Sequence, residues 1–351
     1  MAFKVKRNFL LFLILSVPLS VLVGGRGGTS DTQVYYDVFA NIGDYDLTNP
    51  FLFYKESGME IGFGWYSFII GHFTSSPFVL FFIFSFLNFI FIFKTAQLLG
   101  VNFFYVFLVY VSSSYFFLQQ FMQMRQGLAI SIAFYCFVYM LRCKVNFLVL
   151  LLLVMSFFLH QSTLFITSFY LFYVFLRRID FFCLTRHINP IYIVTTISLV
   201  LILVFKFVFL SFLIYMSGRL QDYANTSQYS GEIGYFSLPN IKLLLTICIF
   251  FILLNRKLQF DSCLLFLTFM CFIAFSVRIG FSEMAIMSGR LSTAFSYAEI
   301  FLIPALFEAR FSRLVGFSCI VILFLIQLTI TIGYQAPYLI NDYFNPLYVY
   351  S

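Results

Sequence analysis

The sequence predicts an all-α integral membrane protein with about 11 transmembrane helices, and three observations lead to this class. The composition is 62% hydrophobic and only 10% charged, with a mean hydropathy of +0.97. Soluble domains average about 45–50% apolar and about 25% charged residues. Apolar runs recur along the chain, and the basic residues between them are distributed unevenly. These observations exclude a cytosolic enzyme, a free DNA-binding module and a disordered scaffold.

The predicted helices follow the apolar runs, because a bilayer core requires about 20 apolar residues per helix. Polar interruptions give the spans 8–24, 77–94, 101–119, 126–141, 146–160, 162–177, 190–211, 238–254, 260–277, 290–307 and 314–333. The run 62–73 is only about three turns long, so we expect a short interfacial or re-entrant helix. The first run follows a basic segment as a signal peptide does, but we expect a retained helix because polytopic sequence follows it. Residues 1–351 are predicted to form a single transmembrane domain.

The charges orient these spans. With a cytoplasmic N-terminus, thirteen of the 21 lysines and arginines lie at inner ends and six lie outside, as the positive-inside rule requires. Ten of the 14 acidic residues lie outside. The long outer loops are then 25–76 and 212–237, and the segment after about Gly333 also lies outside. The net charge of +7 reflects this orientation, so we expect the lipid bilayer as a partner and no nucleic acid.

The outer basic residues are mostly arginines, placed where a helix meets water. A charge near hydrocarbon is costly and favours a functional interpretation, and a guanidinium binds phosphate with a planar fork. Each candidate also has a structural explanation: a flexible exit loop around Arg26, a snorkelling side chain at Arg125, and the helix dipole for Glu60. Glu299, deep in an apolar run, is expected to lock helices together through an arginine or a tyrosine.

Metal chemistry is not expected. The seven cysteines lie in apolar runs or near inner ends, with no CxxC or Cys/His cluster, so neither a disulfide nor a metal site is predicted. The sequence Asp44-Tyr45-Asp46 matches the DxD pattern of nucleotide-sugar transferases. Such short matches are common by chance, and nucleotide sugars are not expected outside the membrane.

Five short motifs occur in order along the chain. They are Arg26 with Asp31 and Tyr35, then Glu60-Ile61-Gly62-Phe63, Arg125-Gln126-Gly127-Leu128-Ala129, His160-Gln161-Ser162 and Arg290-Leu291-Ser292. Together they resemble the EpsG-like branch of the Wzy polysaccharide polymerases. The order and topology match along nearly the whole chain. One departure is Ala294-Phe295, where another tyrosine is expected.

The resemblance implies an activity. Such an enzyme polymerises oligosaccharide repeat units linked to undecaprenyl diphosphate into O-antigen or a similar surface polysaccharide, as in lipopolysaccharide biosynthesis. It is a membrane glycosyltransferase that acts at the periplasmic face of the bacterial inner membrane. A chain-length regulator protein is a candidate partner.

The polymerase reaction implied by the resemblance assigns roles to the residues predicted at the outer face. Arginines would hold the diphosphate and offset its charge, so no cofactor or metal is required; these are Arg125, Arg290, Arg278 and Arg26. The acceptor hydroxyl needs a base, for which His160, Asp31 and Glu60 remain alternatives. Tyrosines of the outer loops would stack on sugars; these are Tyr35, Tyr36 and Tyr223.

Two other classes of protein remain open. A flippase for lipid-linked oligosaccharides would carry charges midway through several spans, whereas here only Lys206 and Glu299 lie deep. A GT-C type glycosyltransferase that uses polyprenyl-phosphate sugars would depend on an outer-loop acid and a metal. The concentration of charge at the outer face favours the polymerase.

Overall fold

The computed structural model describes residues 2–29, 31–181, 189–210, 233–254, 261–335 and 339–347. All regular structure in these ranges is helical. The contacts between helices divide the chain into two compact units. The first comprises Met1–Leu164 and Phe311–Ser351, and the second comprises Phe165–Arg310. The single transmembrane domain stays a prediction.

The first unit is built around the long helix Pro77–Leu99, which packs against Ala2–Gly24 and Met124–Arg142. Helix Met124–Arg142 also packs against Phe147–Leu159, and Arg313–Ile330 packs against Phe103–Ser112. Its interior is rich in phenylalanine; the rings of Phe12 and Phe93, for example, stack with centroids 4.7 Å apart. Its helices are α1 (Ala2–Gly24), α2 (Thr32–Ala40), α3 (Pro50–Ser57), α4 (Ile61–Phe73), α5 (Pro77–Leu99), α6 (Phe103–Ser112), α7 (Ser114–Phe121), α8 (Met124–Arg142), α9 (Phe147–Leu159), α16 (Arg313–Ile330) and α17 (Leu339–Tyr343).

The second unit is organised around the helix Ser262–Gly280, which contacts four other helices among the described residues of the unit: Pro190–Val204, Leu238–Leu253, Ala285–Ser296 and Glu299–Arg310. The carboxylate of Asp261 caps the start of helix Ser262–Gly280 by accepting the N–H groups of Cys263 and Leu264 at 2.9 and 3.0 Å. The helices are α10 (Ser162–Arg178, which starts in the first unit), α11 (Pro190–Val204), α12 (Leu238–Leu253), α13 (Ser262–Gly280), α14 (Ala285–Ser296) and α15 (Glu299–Arg310). A π-helical turn, Phe205–Phe209, continues α11.

Six helical segments of the described residues are long and apolar enough to cross a bilayer. They are Pro77–Leu99, Met124–Arg142, Pro190–Phe209, Ser262–Gly280, Met287–Arg310 and Arg313–Tyr334. Shorter apolar helices cover Asn8–Gly24, Phe103–Ser112, Phe147–Leu159 and Leu238–Leu253. Two of these segments, Pro190–Phe209 and Arg313–Tyr334, are mostly exposed: only 22% of the apolar stretch of each is buried inside the protein. Their apolar side chains are therefore available to lipid.

The structure corrects one predicted span and shows a turn within another. The run 101–119 is interrupted at Ser113, whose backbone is extended and whose hydroxyl donates to the Tyr110 carbonyl at 2.6 Å, so α6 and α7 are separate helices. The run 290–307 lies within the candidate span Met287–Arg310, in which a turn at residues 297–298 separates α14 from α15.

The segment 25–76, predicted as an outer loop, contains more structure than the expected helix at 62–73. In α2, the buried residues Tyr35, Val38 and Phe39 follow helical spacing. Asn49 accepts the N–H groups of Phe51 and Leu52 at 3.1 Å each and begins α3, with Pro50 in the first turn.

Candidate functional site

The first unit brings four of the five sequence motifs to one place, around an ion pair between Arg125 and Glu60. The Nη1 group of Arg125 donates to Oε2 of Glu60, and the two side chains are 16% and 14% exposed. The other carboxylate oxygen of Glu60 accepts the N–H of Gln161 at 3.3 Å. The guanidinium carbon of Arg125 lies 5.5 Å from the ring centroid of Tyr35. We call Asp31, Tyr35, Glu60, Arg125 and His160 the Arg125 cluster.

Arg125 occupies an end of its helix that does not favour a cation. It is the second residue of α8, where the positive end of the helix dipole opposes a positive charge by roughly 0.3–1 kcal/mol. Glu60 offsets this effect. It stands just before α4 but caps no amide of that helix with its side chain. The helix dipole alone therefore does not account for Glu60, because its carboxylate is committed to Arg125 and to the turn after α9.

A glycine in the second motif permits this arrangement. A Cβ atom added to Gly62 would lie 2.6 Å from the carbonyl oxygen of Phe158 and 2.9 Å from the amide nitrogen of Leu159. The first turn of α4 thus lies directly against the last turn of α9. This close approach brings Glu60 within reach of the His160-Gln161 turn.

His160 is oriented by its own turn. It ends α9, and its Nδ1 accepts the N–H of Ser162 at 3.1 Å while lying 2.8 Å from the Ser162 hydroxyl. Because an amide N–H only donates, Nδ1 carries a lone pair and the proton of the neutral ring resides on Nε2. The geometry therefore favours His160 as a hydrogen-bond donor through Nε2.

Asp31 is the exposed carboxylate of the Arg125 cluster. Its side chain is exposed, and its backbone is left-handed, with φ of 63°. It stands at the start of α2 without capping an amide of that helix through its side chain. Its negative charge acts on the Tyr35 phenol, whose pKa is raised chiefly by burial and further by Asp31, against the opposing effect of Arg125.

The predicted sugar-binding tyrosines differ in position. Tyr35 is 3% exposed and packs against Phe63 with ring centroids 5.2 Å apart, so the structure places it beneath Arg125 rather than on the surface. Tyr36 is half-buried. Tyr223 lies outside the described residues, as does most of the 212–237 loop.

Arg26 faces the protein interior. It is 3% exposed, with its guanidinium 3.8 Å from the centroid of the Phe81 ring. Nη1 donates to the carbonyl of Gln120, and Nη2 lies 2.9 Å from the sulfur of Met124. Burial lowers the pKa of Arg26 to about 9, which still leaves the side chain charged at neutral pH. No sequence pattern indicates the contacts with Gln120 and Met124, which lie 94 and 98 residues away along the chain.

In the second unit, Arg278 and Arg290 differ in exposure. The Nε group of Arg278 donates to Oδ1 of Asn240 at 2.7 Å, and the amide of Asn240 in turn donates to the carbonyls of Gly234 and Tyr235. Arg290 lies exposed on α14. These contacts show how Arg278 is oriented within its own unit.

Glu299 forms an interhelical pair, as expected, but its partner is a lysine. The Nζ of Lys242 lies 2.6 Å from Oε1 of Glu299, whose side chain is 1% exposed. The other oxygen of Glu299 has no hydrogen-bond partner among the described residues. Lys242 was not among the residues predicted from the sequence, although two opposite charges in separate apolar runs are a signal for such a pair.

The DxD match is part of a local turn. The carboxylate of Asp46 accepts the N–H and hydroxyl of Thr48 at 2.8 and 2.6 Å, and these bonds lower its pKa. Among the described residues, no group of three or more His, Cys, Asp or Glu side chains is arranged to hold a metal.

Fold and site together define a polytopic helical membrane protein with an arginine-centred polar cluster at the ends of its helices. The EpsG family model matches residues 9–347, and the chain belongs to the EpsG family. Membership of this family suggests a polymerase role in polysaccharide biosynthesis. Neither a search of curated proteins nor a search of solved structures found a significant match.

Proposed function

We propose that this protein polymerises oligosaccharide repeat units carried on undecaprenyl diphosphate into O-antigen or a similar surface polysaccharide. The reaction would take place at the outer face of the inner membrane. Family membership supports the polymerase class. The observation that carries the chemistry is the Arg125–Glu60 pair, which fixes a guanidinium beside an exposed carboxylate, Asp31, and a histidine turn.

In the proposed reaction, a hydroxyl oxygen of the acceptor sugar attacks the anomeric carbon of the donor chain. The bond between that carbon and the diphosphate oxygen breaks, and undecaprenyl diphosphate leaves with the bonding electrons. Arg125 offsets the charge that develops on the leaving group. Its Nε is buried and has no hydrogen-bond partner among the described residues, so Glu60 does not satisfy the whole guanidinium.

The proton of the acceptor hydroxyl needs a base, and the structure favours Asp31 over the two alternatives. Glu60 is held by Arg125 and Gln161, and His160 presents a proton on Nε2. We assign His160 as a donor to the diphosphate or to a sugar oxygen. We assign Tyr35 and Arg26 as supports of Arg125. Arg278 and Arg290 stay candidate diphosphate-binding residues on the basis of the sequence alone.

An apolar pocket in the first unit supports a lipid-linked substrate. It measures about 240 Å³ and is lined entirely by apolar and aromatic side chains, among them Leu22, Phe121 and Phe344. Phe121 lies one residue beyond the carbonyl that Arg26 holds. Such a pocket would accept part of a polyprenyl chain.

The 11 spans and their orientation complete the proposal, since they place the Arg125 cluster on the periplasmic side. Single cysteines introduced at Ser57 and Asn341 in a cysteine-free background test the orientation. An impermeant thiol reagent should label both in intact spheroplasts. Protection of both sites would overturn the orientation.

The decisive experiment reconstitutes the purified protein in liposomes with a lipid-linked repeat unit. We expect a ladder of polymer and release of undecaprenyl diphosphate, with no loss on addition of a chelator. Loss of the ladder with a chelator would favour the GT-C alternative. Transfer of the repeat unit between leaflets without polymer would favour the flippase.

A further inference from the structure

The loop after α1 is bound by a segment from the far end of the sequence. The N–H of Gly27 donates to the carbonyl of Tyr343 at 2.8 Å, and the N–H of Gly28 donates to the carbonyl of Asn345 at 2.7 Å. The hydroxyl of Tyr343 donates to the carbonyl of Leu22 at 2.9 Å. All these residues belong to the first unit. We call this set of three hydrogen bonds the tail contact.

The tail contact leaves no room for a side chain at one position. A Cβ atom on Gly27 would lie 1.9 Å from the carbonyl oxygen of Asn345 and 2.7 Å from that of Tyr343. Both atoms are backbone, so the clash cannot be relieved by a rotamer change. Gly43, in the same outer loop region, has nothing within 4 Å of the corresponding position. Glycine is therefore required at residue 27 for the 339–347 segment to bind.

The same loop supports the helix that precedes Arg125. Arg26 donates to the carbonyl of Gln120, and the Thr29 hydroxyl donates to the carbonyl of Phe121 at 2.8 Å. These are carbonyls of the last turn of α7, which have no partner within their own helix. Arg26 also reaches the sulfur of Met124, the residue immediately before Arg125. The loop thus fixes both sides of the short turn from α7 into α8.

We propose that the 339–347 segment positions Arg125 by way of this loop, with Arg26 and Thr29 as the positioning residues. The chain of contacts runs from the segment to Gly27 and Gly28, then through Arg26 and Thr29 to the end of α7. The turn that follows sets the first residues of α8. Only the activity measurements that test this inference rest on the proposed function; the structural measurement does not.

The structural test is hydrogen–deuterium exchange of the amides of residues 119–125 in purified protein. Gly27→Ala, and separately removal of residues 339–351, should each accelerate exchange there by about tenfold. Gly43→Ala is the matched control and should leave these amides at the wild-type rate. Combining Gly27→Ala with the deletion should add nothing, because the clash requires the segment to be present.

A milder pair of variants keeps the test valid if the first two do not fold. Tyr343→Phe removes only the hydrogen bond to Leu22, and we expect exchange to rise by about twofold to fivefold. Thr29→Ala should lower polymer formation, while Thr29→Ser, which retains the hydroxyl, should restore it. If residue 29 had only a general structural role, Thr29→Ala and Thr29→Ser would form similar amounts of polymer at equal protein abundance.

The outcomes distinguish the positioning role of the 339–347 segment from the proposed polymerase function. Wild-type exchange at residues 119–125 in the Gly27→Ala, Tyr343→Phe and deletion variants would refute the positioning role. Additive effects of Gly27→Ala and the deletion would refute the tail contact itself. If exchange changes as expected but the wild-type protein makes no polymer, the proposed function fails and the positioning role stands.

Discussion

The strongest prediction concerns the substitution Arg125→Lys. Lysine keeps the positive charge beside Glu60 but loses the planar fork with which a guanidinium binds two oxygens at once. In the structure one arm of that fork bonds to Glu60, and the ring of Tyr35 lies beside the guanidinium. The amine of a lysine can satisfy Glu60, but it then has no second donor in a fixed plane for a diphosphate.

The expected loss follows from one charge-assisted hydrogen bond. Such a bond contributes about 1.5–3 kcal/mol, which corresponds to a decrease of about tenfold to a hundredfold in turnover if it forms in the transition state. The ion pair itself survives the substitution, so protein abundance and unfolding temperature should remain close to wild type. The assay is polymer formation in liposomes by purified protein, with substrate binding measured in parallel.

The matched control is Arg142→Lys, the same substitution near the other end of α8, where the side chain is exposed. We expect wild-type turnover from this variant. Glu60→Gln supplies a second test, because glutamine retains an oxygen for the Gln161 N–H but no longer holds a guanidinium by charge. Wild-type polymer lengths from Arg125→Lys would refute the diphosphate-binding role of the fork.

Two further predictions address the base and the packing of the cluster. Asp31→Asn should reduce turnover by about 10²–10⁴-fold, the usual cost of losing a general base. His160→Gln, which can still donate a hydrogen bond, should reduce turnover by at most about a hundredfold. If His160→Gln instead reduces turnover more than Asp31→Asn does in the polymerisation assay, His160 is the base. Gly62→Ala should reduce turnover at least about tenfold and destabilise the protein by about 1–3 kcal/mol because it forces α4 away from α9. Gly71→Ala on the same helix, where a Cβ meets neighbours only at 3.6 Å or beyond, should behave as wild type in both assays.

Much of the helical structure was accessible from the sequence, because a bilayer forces long apolar runs into helices. The runs 77–94 and 260–277 became α5 and α13 with ends shifted by a few residues. The interruption at Ser113 was not accessible, because it depends on one hydroxyl bonding to a carbonyl within an otherwise apolar run. Helix α2 left a readable signal, the spacing of Tyr35, Val38 and Phe39.

The candidate site was partly accessible from motif order and topology. These predicted that Glu60 and Arg125 lie on one membrane face, and the structure brings the two side chains together. They gave no indication that Arg26 points inward, because its burial depends on Gln120 and Phe81, which are distant in sequence. An exposed arginine and a buried arginine look alike in sequence when each follows an apolar helix.

The last prediction concerns the pair between Lys242 and Glu299. Lys242→Met leaves a carboxylate that is 1% exposed without its partner. Breaking a buried pair costs about 3–5 kcal/mol; because Lys242 is 31% exposed, we expect roughly 2–3 kcal/mol, seen as a lower unfolding temperature in detergent. Adding Glu299→Leu should recover much of the loss, because no buried charge remains. Lys206→Met, which removes the partner of the half-exposed Glu283, is the control and should unfold near the wild-type temperature. If Lys242→Met instead unfolds as wild type but makes no polymer, the pair does not serve to join helices, and Lys242 belongs to the substrate-binding groups.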